Sequence, residues 1–533
     1  MKKREVYIKG NHPLRESIEK QYIRGGYDIY DCLDDCSAFI ENPMNAEMVI
    51  LTSPCSSNRL QEDCNVIHFL RVLSGKMPDN DGIRPIVHVL FQSSVTLDYL
   101  LKHDLPSAVN EKLDVYPFTL EDMWAKKVLV GLPGVVDLFY PSLDRRPITS
   151  NSVDRVHIVI NGFDEQAEVF AIHAALIAHF PNYRNGDSLP IRTRITMVDE
   201  NMTTKRDALI ARYQTLFDHS FYRTINISDR SVVFHRPVYN GKRKDFVDVE
   251  WEFVNGNITD CVVRDKITTW STDERRQLTL VISCGTDEVN LNHCMSLPRA
   301  VFEQRIPVLV RISQKEIAEN MVYSIDEHHI YPFGMHDCGY DVTLPLVKMA
   351  KLLKYFYDCS YGDKGIPTEF SMNEVEKAWK QEYSMKMRLS NIYNVMTIPT
   401  KMHSVGHDRS DADTFYALNR DEIRMLAETE HNRWSVERLI LGDRPCTDDE
   451  KTKIRQNIQE IIEAHRMGKE MPVDLKRKYK KEYHVHYDLC AYDELEIDPT
   501  GKSAQTYDYD LTASIPLIYK TYFEEMKNEN GKD

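Results

Sequence analysis

Residues 155–167 read Arg155-Val156-His157-Ile158-Val159-Ile160-Asn161-Gly162-Phe163-Asp164-Glu165-Gln166-Ala167. An apolar, β-branched run closes on a glycine, and from Ala167 the apolar residues fall at helical spacing through Ile172, Ala175, Leu176 and His179, stopping before Pro181. That is the pattern of a buried strand, a tight turn and an amphipathic helix. The next strand is Arg194-Ile195-Thr196-Met197-Val198, ending at Asp199-Glu200. Leu278 to Ser283 and Ile306 to Val310 supply two more, with a crossover helix between Gly285 and Arg305. Strands that alternate with helices pair in parallel and predict a doubly wound α/β sheet.

The first 145 residues repeat the pattern. Val6-Tyr7-Ile8 runs to Gly10, a helix follows through Leu14, Ile18 and Tyr22, and Tyr27 to Tyr30, Met48 to Leu51, Pro85 to Leu90 and Val115 to Phe118 are the next strands. A helix from Leu60 to Leu73 lies among them. Asp144-Arg145-Arg146-Pro147-Ile148-Thr149-Ser150 reads as a linker. The expected organisation is α/β plus α: Rossmann-like doubly wound parallel-sheet domains at 1–145 and 151–343, a helical connector at 344–394, and a helical domain at 415–520.

The second sheet resembles the TrkA-N family of Rossmann-like domains, on residues 156–167 and the acidic pair Asp199-Glu200. The resemblance implies NAD or another adenine nucleotide as ligand, with glycines admitting a diphosphate to a helix N-terminus and an acid holding ribose hydroxyls. Gly162 matches the first glycine and Asp199 the acid. Asp164 stands at the middle glycine and Ala167 at the third, so a carboxylate occupies the diphosphate position. Gly162 therefore has two readings, turn geometry and nucleotide contact. Thr286 and Asp287, after the Leu278–Ser283 strand, belong to the same expected crevice. Cys284 would need a base such as His293 to act as a nucleophile, and otherwise reads as a small buried cysteine.

A second decisive stretch is Leu426-Ala427-Glu428-Thr429-Glu430-His431-Asn432-Arg433-Trp434, followed by Arg438 and Gly442. On a helix, Ile423, Leu426, Ala427, Trp434 and Leu441 form an apolar stripe, with Glu428, His431 and Arg438 alongside. Later come His486-Tyr487-Asp488-Leu489-Cys490-Ala491-Tyr492-Asp493-Glu494-Leu495 and Tyr507-Asp508-Tyr509-Asp510. Together these blocks resemble the RyR domain, the helical repeat named after ryanodine receptors and also found in bacterial proteins. The resemblance implies a nucleotide pocket. In it Trp434 offers a stacking face, Arg438 and the basic run Lys476-Arg477-Lys478-Tyr479-Lys480-Lys481 meet phosphates, and Glu428, His431, Tyr492 and Asp493 add polar contacts. The bland alternatives are a core tryptophan and a solvated basic helix face.

Composition sets limits. A 533-residue chain is too long for one core. The formal charge of −15 opposes nucleic acid and anionic membranes at long range. No apolar run is long enough to span a bilayer, so membrane insertion is not expected. Eleven scattered cysteines without a Cys-x-x-Cys pair fit reduced thiols in a cytoplasm. Cys32 and Cys36 with Asp31, Asp34 and Asp35, and Asp326-Glu327-His328-His329, are weak metal or acid–base candidates; solvated loop polarity is the default for the latter, which precedes a loop-like Ile330-Tyr331-Pro332-Phe333-Gly334. With no catalytic triad, P-loop or metal signature, the leading expectation is a cytoplasmic nucleotide-binding sensor or regulator. It would work as a homo-oligomer or with a protein partner, and the bacterial resemblance suggests a conflict system such as phage defence. An NAD-dependent enzyme acting on a nucleotide and a cytosolic regulatory subunit of an ion transporter are the alternatives.

Overall fold

The computed structural model describes residues 4–530 apart from 33–35, 54–57, 79–83, 133–134, 136–137, 185–188, 238–244, 323–327, 363–364, 368 and 408–416. Five strands form the first sheet: β1 (Arg4–Lys9), β2 (Tyr27–Asp31), β3 (Ala46–Leu51), β4 (Ile86–Leu90) and β5 (Asp114–Phe118). All pair in parallel, in the order β2-β1-β3-β4-β5. This is a doubly wound order whose direction switches between β1 and β3.

The second sheet has eight strands: β6 (Arg155–Asn161), β7 (Thr193–Asp199), β8 (Phe221–Asn226), β9 (Val232–His235), β10 (Val249–Asn255), β11 (Arg276–Ile282), β12 (Val308–Arg311) and β13 (Ile330–Phe333). Their order is β13-β12-β11-β6-β7-β10-β8-β9, and only the β8–β9 pair is antiparallel. Without the β8–β9 hairpin, the remaining six strands follow the Rossmann order, switching between β6 and β11. Two expectations change here. The Ile330–Gly334 run is an edge strand rather than a loop as far as Phe333, because an edge tolerates Pro332, which cannot donate a ladder bond. The single crossover helix expected between Gly285 and Arg305 is two helices, Asp287–Met295 and Arg299–Glu303.

One residue fixes the turn at each switch point. Gly10 (φ +94°) and Gly162 (φ +111°) both hold left-handed backbone. A Cβ on Gly10 would lie 1.9 Å from the Leu51 carbonyl oxygen, and one on Gly162 would lie 1.8 Å from that of Ser283. Each glycine thus lets its turn pass against the strand across the switch point, and no larger residue fits.

Past residue 344 the described chain is mainly helical. Helices Pro345–Tyr361, Met372–Gln381 and Met385–Met396 make up the expected connector, which is not a separate tether. It docks on the first sheet through an Arg388–Asp114 ion pair and a 3.1 Å hydrogen bond from Trp379 Nε1 to the Tyr116 hydroxyl. Its other side packs on helices Arg420–Ile440 and Gln505–Ala513. The Arg420–Ile440 helix opens with a capping box in which Asn419 and Glu422 satisfy each other's backbone donors. It also packs on the Glu165–Ile177 helix that follows Gly162, so the C-terminal region touches the second sheet directly. A short parallel pair, β14 (Arg444–Pro445) and β15 (Val485–His486), ties the two sequence blocks of that region together. Among the described residues no helix is long and apolar enough to cross a membrane.

Candidate functional site

A cavity of about 440 Å³ lies where the connector meets the C-terminal helices, and His431, Trp434 and Arg438 are three of its lining residues. Lys476, Arg477 and Lys480 enter it from helix Leu475–Tyr483, whose first turn is capped by the Asp474 side chain at 3.0 Å from Arg477 N. The basic run therefore turns part of its charge onto the same space as Trp434. The connector contributes Lys354, Tyr357 and Tyr361, and helix Gln505–Ala513 contributes Tyr507 and Asp508.

Three of the six expected residues stand apart from the lining. Tyr492 sits in a short 3₁₀ turn and packs its ring 5.8 Å from that of His431. Glu428 is raised above the usual carboxylate range by burial and by the charge of Asp493, which places those two acids together. His431 is clamped: Nδ1 lies 3.2 Å from Asp508 and Nε2 lies 2.9 Å from the Cys490 carbonyl oxygen. Burial works against its charged form, yet both nitrogens face acceptors, and the ring is held above the usual histidine value.

At the basic end, two buried nitrogens are left without hydrogen-bond partners. Arg438 is 2% exposed; its Nη2 is 2.5 Å from Glu437 and its Nη1 is 3.7 Å from Asp443, while Nε has no hydrogen-bond partner. His486 is 4% exposed, its Nδ1 accepts from Asp488 N at 3.3 Å, and its Nε2 has no partner. Burial and then the cations Lys480, Arg438, Lys476 and Lys386 hold His486 neutral, so Nε2 carries a hydrogen it can donate. Crowding by the surrounding protein and then repulsion from Arg438 bring Lys480 down to about 8, although its side chain keeps an exposed surface. Neither Lys480 nor Arg477 makes a side-chain ion pair or hydrogen bond among the described residues. The Trp434 ring stands edge-on to His486 at 4.8 Å and 80°. Cationic side chains and unmet donors beside an aromatic ring have the chemistry that an anion joined to a flat group would satisfy.

Sequence reasoning missed His486, Tyr357, Tyr361 and Asp508 as wall residues. The spacing of Tyr357 and Tyr361, one helical turn apart, was the available signal, and their rings do face each other at 6.3 Å.

In the second sheet the expected nucleotide residues are engaged within the chain. Asp164 caps the Glu165–Ile177 helix at Ala167 N (2.9 Å), accepts from the Ser283 hydroxyl (3.0 Å) and pairs with Arg311 (2.6 Å). Asp199 binds Asn201 N (2.8 Å) and Lys205 Nζ (2.7 Å). Thr286 caps the next helix, and Asp287 grips the chain after β12 at Ser313 N (2.8 Å). Asp164→Ala is expected to lower stability by about 1–2 kcal/mol, from a lost cap and a partly exposed ion pair, read as a drop in the melting temperature. Cys284 Sγ lies 3.0 Å from His293 Nδ1, a pairing that the helix itself provides. The thiol is nonetheless pushed up to about 12 by burial, Asp164 and Asp199, which disfavours a thiolate nucleophile.

Cys32 and Cys36 lie 3.0 Å apart at sulfur, while Asp34, Asp35, Asp326 and Glu327 lie outside the described residues. Among the described residues no group of three or more His, Cys, Asp or Glu side chains could hold a metal ion. The chain matches no family model, and no curated protein matches it at a significant level.

Proposed function

We propose that this chain is a nucleotide-binding sensor or regulator whose ligand enters the cavity between the connector and the RyR-like region. The observation that carries the reading is the pair of buried, unpartnered donors, Arg438 Nε and His486 Nε2, beside Lys480, Arg477 and the Trp434 ring. Phosphates of the ligand fill the Arg438–Lys480–Arg477 end, and its base stacks on Trp434. The resemblance to bacterial RyR-domain proteins adds an expected setting in conflict systems such as phage defence. The Rossmann-like crevices serve as scaffold in this reading, since Asp164, Asp199 and Asp287 already have partners within the chain.

A thermal-shift screen against ATP, NAD(H), NADP(H), ADP-ribose and cyclic nucleotides tests it. A ligand at a hundred times its dissociation constant adds about 2.7 kcal/mol of stability. Lys480→Ala with Arg477→Ala should weaken the hit at least tenfold while leaving the unliganded melt unchanged. No shift with any nucleotide, or an affinity indifferent to both substitutions, defeats the proposal.

The same site predicts a pH dependence. Lys480, brought down to about 8, is charged below that value and loses its charge as pH rises through it. Phosphate affinity should therefore fall by about tenfold between pH 7 and pH 9, the worth of one charge-assisted hydrogen bond. Lys480→Arg should flatten the profile, as read by titration calorimetry across that range.

A further inference from the structure

The second sheet carries a separate feature on the strands that the β8–β9 hairpin extends. Parallel register sets Arg194 beside Glu250 and Glu250 beside Phe221; in the next row it sets Glu252 beside Arg223, and the antiparallel β8–β9 hairpin sets Arg223 beside Phe234. The opposite face of β10 behaves as a core, with Trp251 and Phe253 packed on Phe217 at 5.1 and 6.0 Å. The first face instead opens on a cavity of about 580 Å³, lined among the described residues by five arginines and by Asp245 and Glu250 as acids.

The pairing within this trough leaves positive charge over. Arg155 and Arg194 share a single Glu250 oxygen, at 3.3 and 2.6 Å. Arg223 is matched by the buried Glu252, and Arg192 by Asp245. Arg236 has no ion pair among the described residues, and it is exposed at the outer end of the row. Aromatic rings are interleaved: Arg192 lies 4.2 Å over Phe221, and Phe234 is 64% exposed on the edge strand. The arginines come from the β6, β7, β8 and β9 segments. With β10 between them, the row crosses four strand spacings, about 19 Å at roughly 4.8 Å each. A line of guanidinium groups of that length suits several successive anions rather than one phosphate.

The geometry points to this trough as a binding site for single-stranded nucleic acid. The backbone phosphates run along Arg155, Arg194, Arg223 and Arg236, and a base stacks on Phe234. Aromatic platforms within a cationic groove are the common means of holding a single strand without reading its sequence. The formal charge of −15 does not forbid it, because screening confines each surface field to about 8 Å at physiological salt. The site is independent of the nucleotide cavity.

Fluorescence anisotropy with labelled dT and rU dodecamers and the full chain tests the inference. The parent should bind at 50 mM salt and weaken steeply by 200 mM. Arg236→Glu should cost at least tenfold and reduce the slope of log affinity against log salt by about 0.7, one phosphate contact on a single strand. Phe234→Ala should cost about fivefold or more. Both residues are exposed, so melting temperatures should hold, and Lys480→Ala should leave the oligonucleotide affinity unchanged, which separates this site from the other. Ultraviolet cross-linking of a bromouridine dodecamer to the parent should map to a peptide containing Phe234, with no variant needed. The inference is overturned by an absence of binding at 50 mM salt, by binding that neither substitution alters, or by a hexaglutamate peptide that occupies the trough while the dodecamers do not.

Discussion

Arg433→Met is expected to destabilise the C-terminal region by about 3–5 kcal/mol, the cost of leaving buried carboxylates without their cation. Arg433 is 1% exposed and bridges two acids of its own helix, Glu430 at 2.8 Å and Glu437 at 2.7 Å. Lys401 reaches the far side of Glu430 at 2.6 Å, and Arg438 reaches Glu437 at 2.5 Å. Burial by itself would raise Glu430; Arg433 and Lys401 outweigh it and hold the carboxyl at about 2. A depressed acid contributes stability above its unfolded value near 4.3, and that contribution disappears as pH falls towards 2. The deficit of Arg433→Met should therefore be full at pH 7 and narrow between about pH 5 and pH 2, where the two acids, deprived of their shared cation, take up protons. Urea unfolding monitored by fluorescence across that range measures it. A loss below about 1 kcal/mol at pH 7 would mean that the ladder is solvated and that Arg438 is not held in place by Glu437. Adding Glu430→Gln and Glu437→Gln to Arg433→Met should not recover the loss, since Lys401, 2% exposed, would then be a buried cation without its carboxylate.

That ladder explains why the C-terminal region was only half legible in the sequence. Trp434, His431 and Arg438 were singled out because a helix that merely packs has no need of those residues at those spacings, and all three line one cavity. Glu430 and Arg433 sat in the same quoted stretch without a role, because spacing on a helix gives the face but not the depth. The depth comes from packing of helix Arg420–Ile440 on Gln505–Ala513, on Glu165–Ile177, on Gln214–His219 and on the connector. Tyr492 and Asp493 were grouped with the pocket on motif proximity, yet the 3₁₀ turn sets Tyr492 behind His431 and leaves Asp493 at the surface near Glu428.

The sheets divide in the same way. Continuous apolar runs such as Val156 to Ile160 declare strands buried on both faces, and they were readable. The strands β8 and β10, reading Phe221-Tyr222-Arg223-Thr224-Ile225-Asn226 and Val249-Glu250-Trp251-Glu252-Phe253-Val254-Asn255, alternate instead and passed unnoticed. Their alternation was itself the signal of a strand with one polar face. That polar face forms part of the arginine trough, which it shares with Arg155 of β6 and Arg194 of β7.

The two readings of Gly162, turn geometry and ligand contact, part company on substitution. Gly162→Ala is expected to cost about 2–5 kcal/mol or to prevent folding, with or without nucleotide. The new Cβ would stand 1.8 Å from the Ser283 carbonyl oxygen and 2.7 Å from the Cys284 Cβ. Ser283 cannot retreat, because its backbone N–H bonds the Asn161 carbonyl at 2.9 Å and β11 is locked between β6 and β12. Overpacking of that kind costs about 1–3 kcal/mol, and left-handed backbone at a residue with a Cβ adds about 1–2. Gly285→Ala isolates the second contribution: its φ is +121°, but a Cβ there meets nothing within 4 Å. It should lose only about 1–2 kcal/mol, and Gly10→Ala, facing the Leu51 carbonyl at 1.9 Å, should match Gly162→Ala. Soluble yield and melting temperatures of the three variants decide the matter. If Gly162→Ala melts like Gly285→Ala, the turn has room to move; the close approach to Ser283 would then be no constraint, and ligand contact would be the better account of the glycine.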